Sequence, residues 1–282
     1  GQTLTNTGVS AGTATYTVTP SATGCIGSSI NVVITVNPIP TATAIPSPTT
    51  ICSGATTDIQ LSSTVSGTTY AWTVSNLSGN ISGASASSGA VIAQTLTNSS
   101  NVVEYITYEI TPSAASCNGT TVDVITYVNP VVVLTATPSS QSICSGASSN
   151  INLTSNVSGT TYSWTVSAPG ITGATGGSGN TIVQTLYNSG NTPATATYTI
   201  IPSAYSCQGA SVAVPVTVNP IPVVTANPTA QTLCSNQTTN ISLTSTVVGS
   251  SFSWTVTQSG VTGATDDAGS IIAQTLTATG VV

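Results

Sequence analysis

The sequence predicts an all-β protein built of small sandwich domains copied head to tail. Three observations predict it: a stretch with strand alternation that occurs three times, a set of further motifs that returns at the same spacing, and a composition with no material for surface helices. The stretch is Gly67-Thr68-Thr69-Tyr70-Ala71-Trp72-Thr73-Val74, repeated as Gly159-Thr160-Thr161-Tyr162-Ser163-Trp164-Thr165-Val166 and as Gly249-Ser250-Ser251-Phe252-Ser253-Trp254-Thr255-Val256. The chain's three tryptophans, Trp72, Trp164 and Trp254, hold the same place in it, 92 and 90 residues apart. Tyr70, Trp72 and Val74 alternate with Ala71 and Thr73, which is the period of a half-buried strand. Such large rings need a core, so each tryptophan is expected to anchor one.

The composition narrows the function. The chain has 282 residues, a net charge of -6, and no Lys, Arg, His or Met. Only 2% of its residues are charged, against about 25% in an average protein. Phosphate backbones and anionic membrane surfaces need cations to bind them, so neither is an expected partner. Without His or Lys, the commonest general bases are missing, and no enzyme is expected. Hydrophobic residues make up 39% and mean hydropathy is +0.33, too apolar for a disordered chain. With 42 Ser and 55 Thr, strand faces turned to solvent should carry hydroxyls in place of charges. No run of 18 apolar residues and no leader peptide is seen, and the sequence opens in mid-repeat, as an excerpt would.

The repeat reaches well beyond the tryptophan strand. Gln2-Thr3-Leu4-Thr5-Asn6 returns as Gln94-Thr95-Leu96-Thr97-Asn98, as Gln184-Thr185-Leu186-Tyr187-Asn188 and as Gln274-Thr275-Leu276-Thr277-Ala278. Thr15-Tyr16-Thr17-Val18-Thr19-Pro20-Ser21-Ala22 returns at 107–114 and 197–204, and Val36-Asn37-Pro38 at 128–130 and 218–220. A strand should end at each Asn-Pro, since proline lacks a ladder donor. The boundaries are therefore a C-terminal part of a repeat at 1–38, full repeats at 39–130 and 131–220, and an N-terminal part at 221–282. A unit near 90 residues is one autonomous sandwich, far longer than a solenoid repeat.

Within 39–130 the alternation predicts strands at 41–45, 58–62, 70–75, 91–97, 103–111 and 122–128. Residues 76–90 read as loop with one short strand, and 112–121 as the bend of the last hairpin. In the last strand of the next repeat, Val212, Val214, Val216 and Val218 face inward and Pro215 outward, which predicts a sheet edge. About seven strands around one tryptophan make an immunoglobulin-like sandwich. The proline-stiffened joints Ile39-Pro40 and Ile221-Pro222 should string such units into a rod.

The six cysteines lie 27, 65, 27, 63 and 27 residues apart. With no close pair and no His, zinc is not expected, and a disulfide framework in an oxidising compartment is. Two pairings compete. One stays inside repeats, Cys52–Cys117 and Cys144–Cys207, and leaves Cys25 and Cys234 to residues outside the sequence. The other joins neighbours across the Asn-Pro marks as Cys25–Cys52, Cys117–Cys144 and Cys207–Cys234. Loop closure favours either by about 3.5 to 4.5 kcal/mol per bridge and does not choose.

Other candidates are sparse. Asp266-Asp267 is the one adjacent acidic pair and the best calcium candidate, though none of the six carboxylates, Asp58, Glu104, Glu109 and Asp123 included, is a carboxylate at the equivalent place of another repeat. Gln2, Gln94, Gln184 and Gln274 sit between inward apolar neighbours and should be amides satisfied by backbone groups. The Tyr and Trp rings could form a sugar platform, but their alternation turns them to a core. The glycine-rich stretches 79–89 and 170–179 lack the lysine of a phosphate loop.

Taken as a set, Ile-Cys-Ser-Gly at 51–54, the tryptophan strand, Gln-Thr-Leu-Thr-Asn, Thr-Tyr-Glu-Ile-Thr-Pro-Ser-Ala at 107–114 and Val-Asn-Pro resemble the PKD-like, immunoglobulin-like repeats of very large Bacteroidetes (flavobacterial) cell-surface adhesins. The resemblance covers essentially the whole chain. It departs from the archetypal repeat after Trp72, where Thr73-Val74-Ser75 stands in place of an acidic loop. It implies an extracellular, cell-surface location, export by the type IX system, no cofactor, and a role as stalk or filament in adhesion or gliding. The implied partners are neighbouring repeats, with surface glycans or other cells at the tip. The rival expectations are a glycan-binding module acting through the loops at 76–90, 168–180 and 257–270, and a spacer beside an enzyme.

Overall fold

A computed structural model of the chain describes residues 1–76 and 78–280; Leu77, in the expected 76–90 loop, lies outside them, as do the last two residues. Every regular element among the described residues is a β-strand. The chain divides into two compact units, one of Gly1–Val133 with Asn156–Thr160 and Ser203–Gly209, the other of Leu134–Ser155, Thr161–Pro202 and Ala210–Val282.

In the first unit, one sheet runs in the order Ser87–Ser88, Thr69–Ser75, Glu104–Ala114, Val122–Asn129, Thr49–Cys52. A second sheet orders Val91–Ile92, Ile59–Ser62 and Thr43–Ile45. Their inner faces enclose Ile59, Trp72, Ile92, Leu96, Ile106, Tyr108, Ile110, Val124 and Val128. The burial of the tryptophan strand alternates from Tyr70 to Trp72 with Ala71 and Thr73 exposed, so the period of two places the ring inside. A separate antiparallel pair, Gly12–Val18 with Ile30–Val36, closes in register from Gly12↔Val36 to Val18↔Ile30.

The second unit repeats the plan. Gln141–Cys144, Val212–Asn219, Ala194–Ala204, Thr161–Ser167 and Gly177–Ser178 form one sheet, and Leu134–Thr137, Ile151–Ser155 and Thr181–Ile182 the other. Trp164, Leu186, Tyr198, Ile200, Val214 and Val216 fill the space between them. Residues 221–280 keep only the early strands, including Val224–Asn227, Ile241–Ser245 and Ser253–Trp254. Trp254 there is half-buried, against 5% exposure at Trp72 and 8% at Trp164.

Three expectations need correction. The strand expected at 91–97 breaks after Ile92, because the Gln94 N–H donates to the Thr57 hydroxyl in place of a ladder carbonyl; an isolated bridge of Thr95 to Thr56 follows, and strand pairing resumes at Thr97–Asn98. The strand Thr49–Cys52 was not expected; it runs parallel to the last strand, Thr49↔Thr126 through Cys52↔Asn129. Its counterpart Gln141–Cys144 pairs with Val216–Asn219, so the strand holding Pro215 is not a free edge along its whole length. The outer partner begins one residue after Pro215, which leaves the missing N–H without a ladder to break.

Candidate functional site

Two side-chain brackets recur along the chain, and both come from the Gln-Thr-Leu-Thr-Asn motif. The backbone N–H of Ser85 donates to Gln94 Oε1 at 3.0 Å, and Gln94 Nε2 donates to the Ser85 carbonyl at 2.8 Å. Tyr108 Oη donates to the same Oε1 at 2.9 Å. Gln184 repeats this with Thr175 and Tyr198, and Gln274 with Thr265. The glutamine thus ties the loop after the tryptophan strand to the hairpin strand.

Asn98, 2% exposed, is the second bracket. Its Nδ2 donates to the carbonyls of Val102 and Val128, both at 2.8 Å, and its Oδ1 accepts from Ser100 N at 2.8 Å. Asn188 does the same with Thr192, Val218 and Gly190, and Asn6 with Ser10, Val36 and Gly8. The recurrence of the asparagine in three copies was the available signal for this role; its partners are backbone atoms, which no side-chain pattern marks.

The most distinctive arrangement lies in the first unit, where the end of the 39–130 sandwich meets the hairpin tip at 203–209. Cys52 and Cys207 form a disulfide with a Cα–Cα distance of 5.7 Å. Both expected pairings are therefore corrected: Cys52 joins neither Cys117 nor Cys25, and Cys207 joins neither Cys144 nor Cys234. The physical reason is the parallel strand Thr49–Cys52, which carries Cys52 to the register of Asn129 at the end of its sandwich and away from its own hairpin. Asn129 Nδ2 donates to the Tyr205 carbonyl at 3.1 Å and lies 3.4 Å from Cys207 Sγ. Val132, Val157 and Ala204 form a small apolar cluster in the same unit. Cys25, Cys117, Cys144 and Cys234 are free thiols.

The hairpin tip has a strained build. Tyr205 and Ser206 have φ of 51° and 62°, and Ala115 and Ser116 of the preceding copy 47° and 64°. Two successive positive φ values make the tight turn that matches strand twist, and side chains pay for it sterically. The third copy of this turn is Thr23-Gly24, with a glycine at the second position.

The remaining candidates are placed as follows. Asp266 Oδ1 accepts from Val256 N at 2.6 Å and Asp267 Oδ1 from Ala268 N at 2.8 Å, both at exposed positions. Among the described residues no three His, Cys, Asp or Glu side chains gather around one point. Burial pushes Tyr108 up to about 12 and raises Tyr198 as well. Outside the cores, Tyr105 and Tyr127 face each other across strands with ring centres 6.1 Å apart, 47% and 36% exposed.

The matches to known proteins follow this architecture. The family model described as PKD-like domain matches residues 1–40, 49–132 and 141–222, more than half of the chain. No curated protein matches it. Among solved structures, Dpr2 Ig1-Ig2 in complex with DIP-Theta Ig1-Ig3 is 12% identical with a TM-score of 0.33, covering 85% of this chain and 89% of that one. Mouse cadherin-23 EC22-24 is 13% identical with a TM-score of 0.33, covering 85% and 88%. The fibronectin(III)-like modules of Clostridium thermocellum CbhA are 10% identical with a TM-score of 0.29, covering 64% and 95%. With its motifs matched in three successive segments, the chain belongs to the PKD-like domain family.

Proposed function

We propose that this chain is a run of structural repeats in the stalk or filament of an extracellular bacterial adhesin, of the Bacteroidetes kind its motifs resemble, exported by the type IX system and serving adhesion, including gliding. It works without catalysis. The observation that carries the reading is the Cys52–Cys207 bond, which ties one repeat to the hairpin of the next and so resists their separation under load. The composition supports the same role. A chain without Lys or Arg offers no site to trypsin-like proteases, and hydroxyl faces hold their hydration whatever the salt. Single-molecule pulling on the oxidised chain tests it. Expected are unfolding steps shortened by the residues locked inside the disulfide, which lengthen after reduction. Extension profiles identical before and after reduction would sink the mechanical reading.

A second reading, a glycan- or surface-binding module, is favoured by the solvent-facing pair Tyr105 and Tyr127. The next repeat has Thr195 paired with Thr217 at the same register, so the aromatic pair is particular to one repeat. Glycan-array binding that is lost on replacing both tyrosines with serine would support this reading over the mechanical one.

A further inference from the structure

The free cysteines fall into the same two classes as the bonded pair. Cys144 stands where Cys52 stands: it ends a parallel strand in register with Asn219, as Cys52 is in register with Asn129. Cys234 follows at the same position of the next copy. Cys25 and Cys117 stand where Cys207 stands, paired opposite Ala22 and Ala114 as Cys207 is opposite Ala204. A second docked hairpin is already on view. Asn37 Nδ2 donates to the Ala115 carbonyl at 3.3 Å, the counterpart of Asn129 to Tyr205. Gly119 lies so near Pro40 that a Cβ would strike the Pro40 carbonyl oxygen. This hairpin is seated on the preceding Asn-Pro with its cysteine unpaired.

We propose that each repeat junction is closed by one staple, from the Ile-Cys-Ser cysteine of a repeat to the hairpin cysteine of the following repeat. Cys144 and Cys234 are open acceptors, and Cys25 and Cys117 are open donors. The partner of each is another copy of this same repeat. Residues 221–280 present an apolar hollow lined by Val224, Leu243, Phe252, Trp254 and Ile272. The hairpin of Gly12–Val18 and Ile30–Val36 carries the side chains that fill such a hollow in a full repeat: Tyr16, Val18 and Val32 are 39%, 49% and 40% exposed, while the corresponding Tyr108, Ile110 and Val124 are fully buried. A second copy joined at this point thus supplies both a hairpin of that kind and a thiol in the place of Cys207. Each staple forms when two thiols give two electrons and two protons to a disulfide-bearing oxidant, which leaves as its dithiol. The pairing rule does not depend on the stalk function.

The test joins Gly280 of the full chain to Val9 of a second copy running to Pro130, followed by oxidation, alkylation and non-reducing peptide mapping. Expected are Cys52–Cys207, Cys144 to Cys25 of the appended copy, and Cys234 to its Cys117. Cys25 and Cys117 of the first copy and Cys52 of the appended one should be alkylated. Pairs at the 27-residue spacing, or Cys144 alkylated while Cys52–Cys207 is intact, overturn the proposal. Mixing isotope-labelled and unlabelled chains of the original length gives a second readout, with Cys144–Cys25 cross-links expected between the two labels.

Discussion

At the residue scale, the fold depends on a few amides and phenols that neutralise buried polarity where charge is absent. Asn98 and Asn188 each satisfy two carbonyls and one N–H that strand pairing leaves over. Alanine at either site strands those groups, and the loss should be about 2 to 4 kcal/mol, read as a lowered urea midpoint. An unchanged midpoint would mean that water replaces the bracket. The phenols set an alkaline limit. Tyr108 is raised by burial to about 12 from an ordinary 10.0, so its neutral form belongs to the folded state. Its contribution is fully present below pH 10 and is lost as pH climbs through the folded value. Stability should be level from pH 7 to 9.5 and fall between pH 10 and 12. A flat profile to pH 12 would refute the assignment.

At the element scale, the tryptophan strand and the hairpin tip pull in opposite energetic directions. Trp72 and Trp164 fill the centre of their sandwiches, so truncation of either to alanine should cost about 3 to 5 kcal/mol. The tip is strained: Ser116 and Ser206 occupy the left-handed region, which glycine enters freely. Ser206→Gly should therefore raise stability by about 1 kcal/mol, seen as a higher melting temperature, since Gly24 shows the turn already accepts it. A drop in melting temperature would show that the serine hydroxyl contributes more than the strain costs.

At the scale of the whole molecule, one covalent link and almost no ionic ones hold the chain. The Cys52–Cys207 loop spans 155 residues, and its closure removes about 5 kcal/mol of unfolded-state entropy. Reduction should lower the melting temperature of the first unit clearly. Salt should not: with no Lys, Arg or His, the six carboxylates have no side-chain cation to lose. Melting temperatures in 10 mM and 500 mM NaCl should agree within about 2 °C, since the chain has no opposite-charge side-chain pairs for salt to weaken and few like-charge neighbours, such as Glu109 opposite Asp123, for it to relieve.

The sequence by itself determined the long core strands, the repeat and the PKD-like family, though not the parallel strand Thr49–Cys52. Alternation over Tyr70, Trp72 and Val74 states which face is buried, because a strand turns its side chains by a half-turn per residue. Recurrence at 92 and 90 residues states that one sandwich is the unit. The boundaries of the short pieces were less legible, since the Gln94 N–H leaves the ladder for the Thr57 hydroxyl, a partner 37 residues away that no local pattern marks. Only the tertiary structure decided the disulfide. Every candidate bridge closes a loop at nearly the same entropic cost, which grows only with the logarithm of its length. The choice therefore rests on which thiols stand a bond apart in space, and the parallel strand ending at Cys52 places it beside a hairpin 155 residues away.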